Sequence, residues 1–162
     1  MSRRFVRLFL LFAIPALAAS MAWAQAPVLY GPPISIDGAK RVATAAIAEA
    51  KKSNFQMAIA IVDIGGNLVY FEKMDGTQTG SVNVAVDKAR SAALFKRPTK
   101  AFQDVVAAGG DGLRILALEG AVPVEGGIPL MADGKIIGAI GASGGTSAQD
   151  GQCAQAGANA SK

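Results

Sequence analysis

The segment from Ile128 to Ala142 limits the possible folds of this chain more than any other. Ile128 to Ala132 and Lys135 to Ala142 are apolar runs joined by Asp133-Gly134. That dipeptide suits a two-residue turn in which both residues take positive φ, so the two arms pair as an antiparallel hairpin. A second hairpin lies upstream. Met57 to Val62 is almost wholly apolar and reads as a strand buried on both faces. Asp63-Ile64-Gly65-Gly66-Asn67 supplies turn chemistry, and Leu68 to Lys73 forms the returning strand. Hairpins in place of βαβ crossovers predict an antiparallel sheet and an α+β fold.

Helical periodicity fills the remaining stretches. Ser35 is placed to cap a helix running to about Asn54, with Ala39, Ala43, Ala46, Ile47 and Ala50 on one stripe. Ser81 to Lys96 carries a second stripe of Val82, Ala85, Val86, Ala89, Ala92 and Ala93, ended by Arg97-Pro98. Thr99 is placed to cap a short helix through about Ala107, and Thr146 with Gln149 forms a capping box for a last helix reaching about Ala160. Leu113 to Leu118 fits a strand or a helical turn. Counted as a strand, it gives the order α-β-β-α-α-β-β-β-α and a sheet of about five strands flanked by helices. Gly138 and Gly141 predict close backbone approach by a helix or another subunit.

The first 24 residues read as a cleaved export signal. Arg3, Arg4 and Arg7 form a positive start, Leu8 to Leu17 an apolar run broken only by Pro15, and Ala22-Trp23-Ala24 a cleavage site before Gln25. The run is short for a bilayer core, which needs about 20 apolar residues. Removing 24 of the 162 residues leaves 138 in the mature chain. The expected location is the periplasm or the exterior, with no membrane anchor after cleavage. Residues 25–34 are Pro-rich and extended, and 35–162 form a single domain.

Loss of the three leader arginines takes the 16 Lys and Arg to 13 against 12 acids, for a net charge of +1. That is too little for nucleic acid as a main partner. A hydrophobic content of 51% with 17% charged residues excludes a disordered chain. Cys153 is the single cysteine, so no intrachain disulfide forms, and it reads as a small buried hydrophobe on the last helix.

The chain contains no histidine. This removes Ser-His-Asp and Cys-His nucleophiles, His-ligated zinc and a proximal histidine for haem. Gly141-Ala142-Ser143-Gly144-Gly145 matches the G-x-S-x-G pattern of a nucleophile elbow, but nothing is present to activate Ser143. The residues left for ligand contact are few. The Ser143-Gly144-Gly145 loop feeds a helix N-terminus suited to an anion. Lys73 and Asp75 stand at a hairpin end, Arg90 and Arg97 suit ligand carboxylates, and Asp63 closes an apolar strand. Each also has an ordinary structural use.

Several of these residues fall in segments that resemble the GlcG/HbpS-like family, haem-binding or haem-degrading proteins that include the PduO C-terminal domain. The resemblance spans residues 36–158. It is carried by Ala60-Ile61-Val62-Asp63-Ile64-Gly65-Gly66-Asn67-Leu68, Met74-Asp75-Gly76, Lys88-Ala89-Arg90-Ser91-Ala92, Phe95-Lys96-Arg97-Pro98-Thr99, Gly126-Gly127-Ile128-Pro129-Leu130, Ile137 to Gly145 and Gln149-Asp150. It implies an antiparallel sheet flanked by helices, a homo-oligomer (commonly an octamer) and a small-molecule ligand, haem or a related planar cofactor, in haem or iron handling or redox sensing. Because histidine is absent, the iron would take Tyr70, Thr99, Met74, Lys73 or no protein ligand. Arg97 or the Gly144–Gly145 loop would meet the propionates. Two alternatives remain: an enzyme on a small organic acid, with Asp63 or Asp75 as acid/base and Arg97 as clamp, and a non-catalytic oligomeric module.

Overall fold

The computed structural model describes residues 27–161. The export signal expected over residues 1–24 lies outside them. The elements are α1 (Ile36–Lys52), β1 (Ala58–Val62), β2 (Leu68–Lys73), α2 (Ser81–Leu94), α3 (Thr99–Ala107), a 3-10 helix (Gly110–Ala117), β3 (Gly127–Ala132), β4 (Lys135–Ser143) and α4 (Ser147–Asn159). Two antiparallel hairpins join edge to edge in one antiparallel sheet of order β2-β1-β4-β3. The class is α+β as expected, with four strands where five were counted.

The missing strand is Leu113 to Leu118. It coils into the 3-10 helix after Gly109 and Gly110, both at positive φ, and packs beside α3 away from the sheet. None of its residues from Gly110 to Ala117 is buried. An apolar strand needs cover on both faces, and no second layer reaches this segment.

That requirement also explains why β1 sits in the middle of the sheet. All five of its residues are buried. Ile59 and Ile61 face a core made with α1 and α4, and Ala58, Ala60 and Val62 face the alanines of α2. Small residues let α2 lie close. A β-carbon on Gly141 would overlap the Ala85 carbonyl oxygen, and one on Gly138 would overlap that of Val62. The close approach expected at these glycines is therefore made by a helix and by a neighbouring strand of the same chain.

Local signals account for the boundaries, with one correction. The Ser35 hydroxyl accepts from the Gly38 amide at 3.2 Å, and the Thr146–Gln149 capping box is formed. Asn54 at φ 56 closes α1, and Asp133 and Gly134, at φ 49 and 72, make the expected hairpin turn. Thr99 does not cap α3. It is the first helical residue, follows Pro98, and its hydroxyl accepts from the Gly127 amide at 2.9 Å.

The Pro-rich entry segment is extended, as expected, but it is firmly tied down. Its backbone bonds to Ile136 and Ile137 of β4, taking the edge left vacant where β1 ends opposite Ala139. The Tyr30 hydroxyl donates to the Ala93 carbonyl at 2.8 Å and so satisfies one of the free carbonyls ending α2. Lys96 holds an unusual φ of 54, with its ammonium 4.2 Å from the Tyr30 ring centroid and bonded to the Val28 carbonyl. Tyr30→Phe is expected to lose about 1 kcal/mol and to raise hydrogen exchange at Gly31 and Ile34. Unchanged exchange there would show that the hydroxyl does not hold the strap.

Candidate functional site

The strand register collects most candidate residues at one end of the sheet. Ala58 of β1 lies opposite Lys73 of β2 on one side and Ser143 of β4 on the other, while Gly127 opens β3 opposite Gly141. Lys73-Met74-Asp75, Ser143-Gly144-Gly145 and Thr99, through its bond to Gly127, therefore share that end. Arg90 does not. Its Nε donates to the Gly66 carbonyl at 3.1 Å, beside the Asp63 turn at the opposite end.

Asp63 serves that turn. Its carboxylate accepts from the Gly65 and Asn67 amides at 2.8 and 2.9 Å and from the Asn67 side chain. Burial works against its charge, but the Asn67 and Gly65 hydrogen bonds outweigh it and hold the carboxyl below its ordinary value. A carboxylate held in this way suits a turn better than acid/base work.

The Gly144–Gly145 loop already holds an anion, supplied by the chain itself. Asp150 in the first turn of α4 accepts from the Gly145 amide at 3.0 Å and lies 2.6 Å from the Lys88 ammonium. Lys88 also donates to the Ala142 carbonyl at 3.2 Å, and both side chains of the pair are buried. Desolvation raises the Asp150 carboxyl above its ordinary value, against the pull of Lys88 and the Gly145 amide. Sequence reading missed this pair. The signal was present: Lys88 lies three residues after Ala85 and four before Ala92, on the buried stripe of α2. Ser143 is buried beside it, with its hydroxyl donating to that of Ser81 at 3.1 Å.

Two recesses flank this buried centre. The first is a cleft of about 480 Å³ between the end of α1 and the end of β2, lined by Lys51, Asn54, Phe55, Gln56, Glu72, Lys73, Met74 and Asp75. It unites three candidates, Lys73, Met74 and Asp75. Tyr70 touches it only through Glu72, to which its hydroxyl donates at 3.1 Å. That bond raises the phenol pKa, which disfavours the tyrosinate that ferric iron prefers.

The second recess is a slot of about 390 Å³ between the start of α3, the start of β3 and α4. Pro98, Ile128 and Ala148 give it apolar walls, and the backbone of Gly126, Gly127 and Gly151 completes them. Lys100, Glu125, Gln152 and Gln155 complete the lining. A β-carbon on Gly126 would come within 2.9 Å of the Lys88 ammonium, so the ion pair lies directly behind this wall. Arg97 is adjacent in sequence, with its guanidinium 5.5 Å from the Phe102 ring centroid. Thr99, buried and bonded to Gly127, does not line the slot.

Asp75 lines the first recess and Arg97 lines neither, so the structure does not bring these two candidates together in one recess. Cys153 is buried, and burial pushes its thiol up to about 11, which keeps it inert. Among the described residues no group of three His, Cys, Asp or Glu could hold a metal ion, and no helix is long and apolar enough to cross a membrane.

The fold and its recesses define a compact α+β domain with ligand-sized openings at one end of an antiparallel sheet. Residues 34–159 match the family model described as haem degrading protein HbpS-like, and the chain belongs to that family. It is 40% identical over 95 residues to protein GlcG of Escherichia coli K12, covering 59% of this chain and 69% of GlcG. It is 34% identical over 119 residues to the 15.0 kDa protein of the dhaT-dhaS intergenic region of Citrobacter freundii, covering 72% and 84%. Its fold matches the crystal structure of a PduOC–haem complex with a TM-score of 0.71 and 29% identity, covering 79% of this chain and 94% of that one.

Proposed function

We propose that this protein binds haem in the slot between α3, β3 and α4. The observation that carries the reading is the slot's lining, with apolar walls from Pro98, Ile128 and Ala148 and the Lys100 cation, in a chain of the HbpS-like family whose fold matches a PduOC–haem complex. Pro98, Ile128 and Ala148 suit the flat apolar faces of a porphyrin. Lys100, on the slot's lining, and Arg97, next in sequence to Pro98, would meet the propionates. The Lys100 ammonium is held by Asp104 at 2.7 Å, a bond that raises its pKa and keeps it charged. Bound haem supplies a redox-active iron, and the protein's part is to hold the ring and screen it from water.

No iron donor among the candidates lines this slot: Tyr70, Lys73 and Met74 lie toward the opposite edge, and Thr99 is buried beneath. The expected complex is therefore weakly ligated and high-spin. Titrating haemin into the mature protein should give a saturable, shifted Soret band. Ala148→Trp, which fills the slot from an exposed helix position, should abolish it, and Met74→Ala should leave it intact. A spectrum matching free haemin, or full binding by Ala148→Trp, would sink this reading.

The leader sequence supports action outside the cytoplasm, in haem or iron handling or redox sensing. The exposed Leu113, Leu116 and Leu118 support self-association, an octamer by the family resemblance. Light scattering on the mature protein should then report a mass well above a monomer's, and a clean monomer would remove the oligomer from the proposal.

A further inference from the structure

We propose that the cleft between the end of α1 and the end of β2 is a second binding site, for a small zwitterion of the α-amino acid class. The argument rests on how charge is distributed in it. Each of the five ion pairs among the described residues joins a cation to an acid elsewhere in the chain. Lys51, Lys73, Glu72 and Asp75 line one recess of about 480 Å³, and among the described residues none of them forms an ion pair.

The covalent order explains how opposite charges come to share one opening without neutralising each other. Glu72 and Lys73 are successive residues of an edge strand, so their side chains leave on opposite faces. Glu72 lies opposite Ile59, on the α1 side of the sheet, and Lys73, the last residue of the strand, lines the cleft from the strand's end. Tyr70 donates to one Glu72 oxygen, which steadies that carboxylate at the cleft wall. Lys51 comes from the last turn of α1 and Asp75 from the turn after β2.

A guest with one charge would find an attractive and a repulsive partner in such a recess. A guest with both an ammonium and a carboxylate would find a partner for each, with Phe55 and Met74 half-buried beside its side chain. This separates the cleft from the apolar slot proposed for haem and makes the two sites testable independently.

The test is a titration of isotope-labelled protein, followed by amide NMR, with glycine, L-glutamine, L-glutamate and L-lysine as probes and acetate and methylammonium as single-charge controls. Saturable shifts at Phe55, Met74 and Asp75 are expected with at least one amino acid and with neither control. Lys73→Met and Asp75→Asn, both at exposed positions, should each weaken binding about tenfold, the effect of losing one charge-assisted contact. Ala148→Trp should bind the amino acid normally, whatever it does to haem. Absence of saturable shifts with all four amino acids, equal shifts with the controls, or undiminished binding by Lys73→Met would overturn the proposal.

Discussion

Lys88→Met is expected to remove about 3–5 kcal/mol of stability, because it leaves the Asp150 carboxylate buried without its counter-charge. The replacement is nearly isosteric, so the loss measures charge and not a cavity. The Asp150 oxygens lie 2.6 Å from the ammonium and 3.0 Å from the Gly145 amide, and the first of these contacts is the one removed. Urea unfolding at neutral pH would give the value. Adding Asp150→Asn should restore most of it, since an asparagine oxygen can still accept from Gly145 and no charge remains. A double variant as unstable as the single one would show that the pair contributes through shape alone.

The pH dependence has a definite sign. Burial holds the Asp150 carboxyl above 3.8, so the folded protein binds this proton more tightly than the unfolded chain. Stability contributed by Asp150 therefore rises as pH falls through the window just above 3.8. Asp63 acts oppositely: its folded value lies below 3.8, and the stability it adds is lost as pH falls through that lower range. Lys88→Met should regain stability on mild acidification, relative to the wild type, as the orphaned Asp150 takes up a proton.

Gly141→Val is expected to cost about 3 kcal/mol or more. A β-carbon there would overlap the Ala85 carbonyl oxygen and come within 2.6 Å of the Ala89 amide nitrogen, and both are helix backbone that cannot rotate away. Helix α2 would have to lift off β4, and its alanine contacts with Ala58, Ala60 and Ala139 would open with it. Gly80→Ala is the control. A β-carbon at Gly80 meets nothing within 4 Å, so the change should stay within about 1 kcal/mol. Similar losses at both positions would refute the close-packing account.

Candidate residues differ in how far local sequence specified their roles. Asp63 was readable as a turn residue because all its partners lie within four positions. Ser143-Gly144-Gly145 was readable as an anion-holding loop, but its occupant, Asp150, sits on the next helix and belongs to the same chain. The slot has no linear signature. Its walls come from Pro98, Ile128 and Ala148, three separate elements that meet only when β3 pairs with β4 and α4 folds back across the sheet.

What the sequence determined by itself was local: the two hairpins, the stripes of α1 and α2, the caps at Ser35 and Thr146, and the exclusion of imidazole chemistry. These follow from periodicity, turn geometry and composition, which act over a few residues. Tertiary structure alone decided that Leu113 to Leu118 stays out of the sheet, that Tyr30 latches α2, and that Lys88 meets Asp150 across 62 positions. Each depends on which backbone surfaces face one another after the layers close, and burial sets its energy only then.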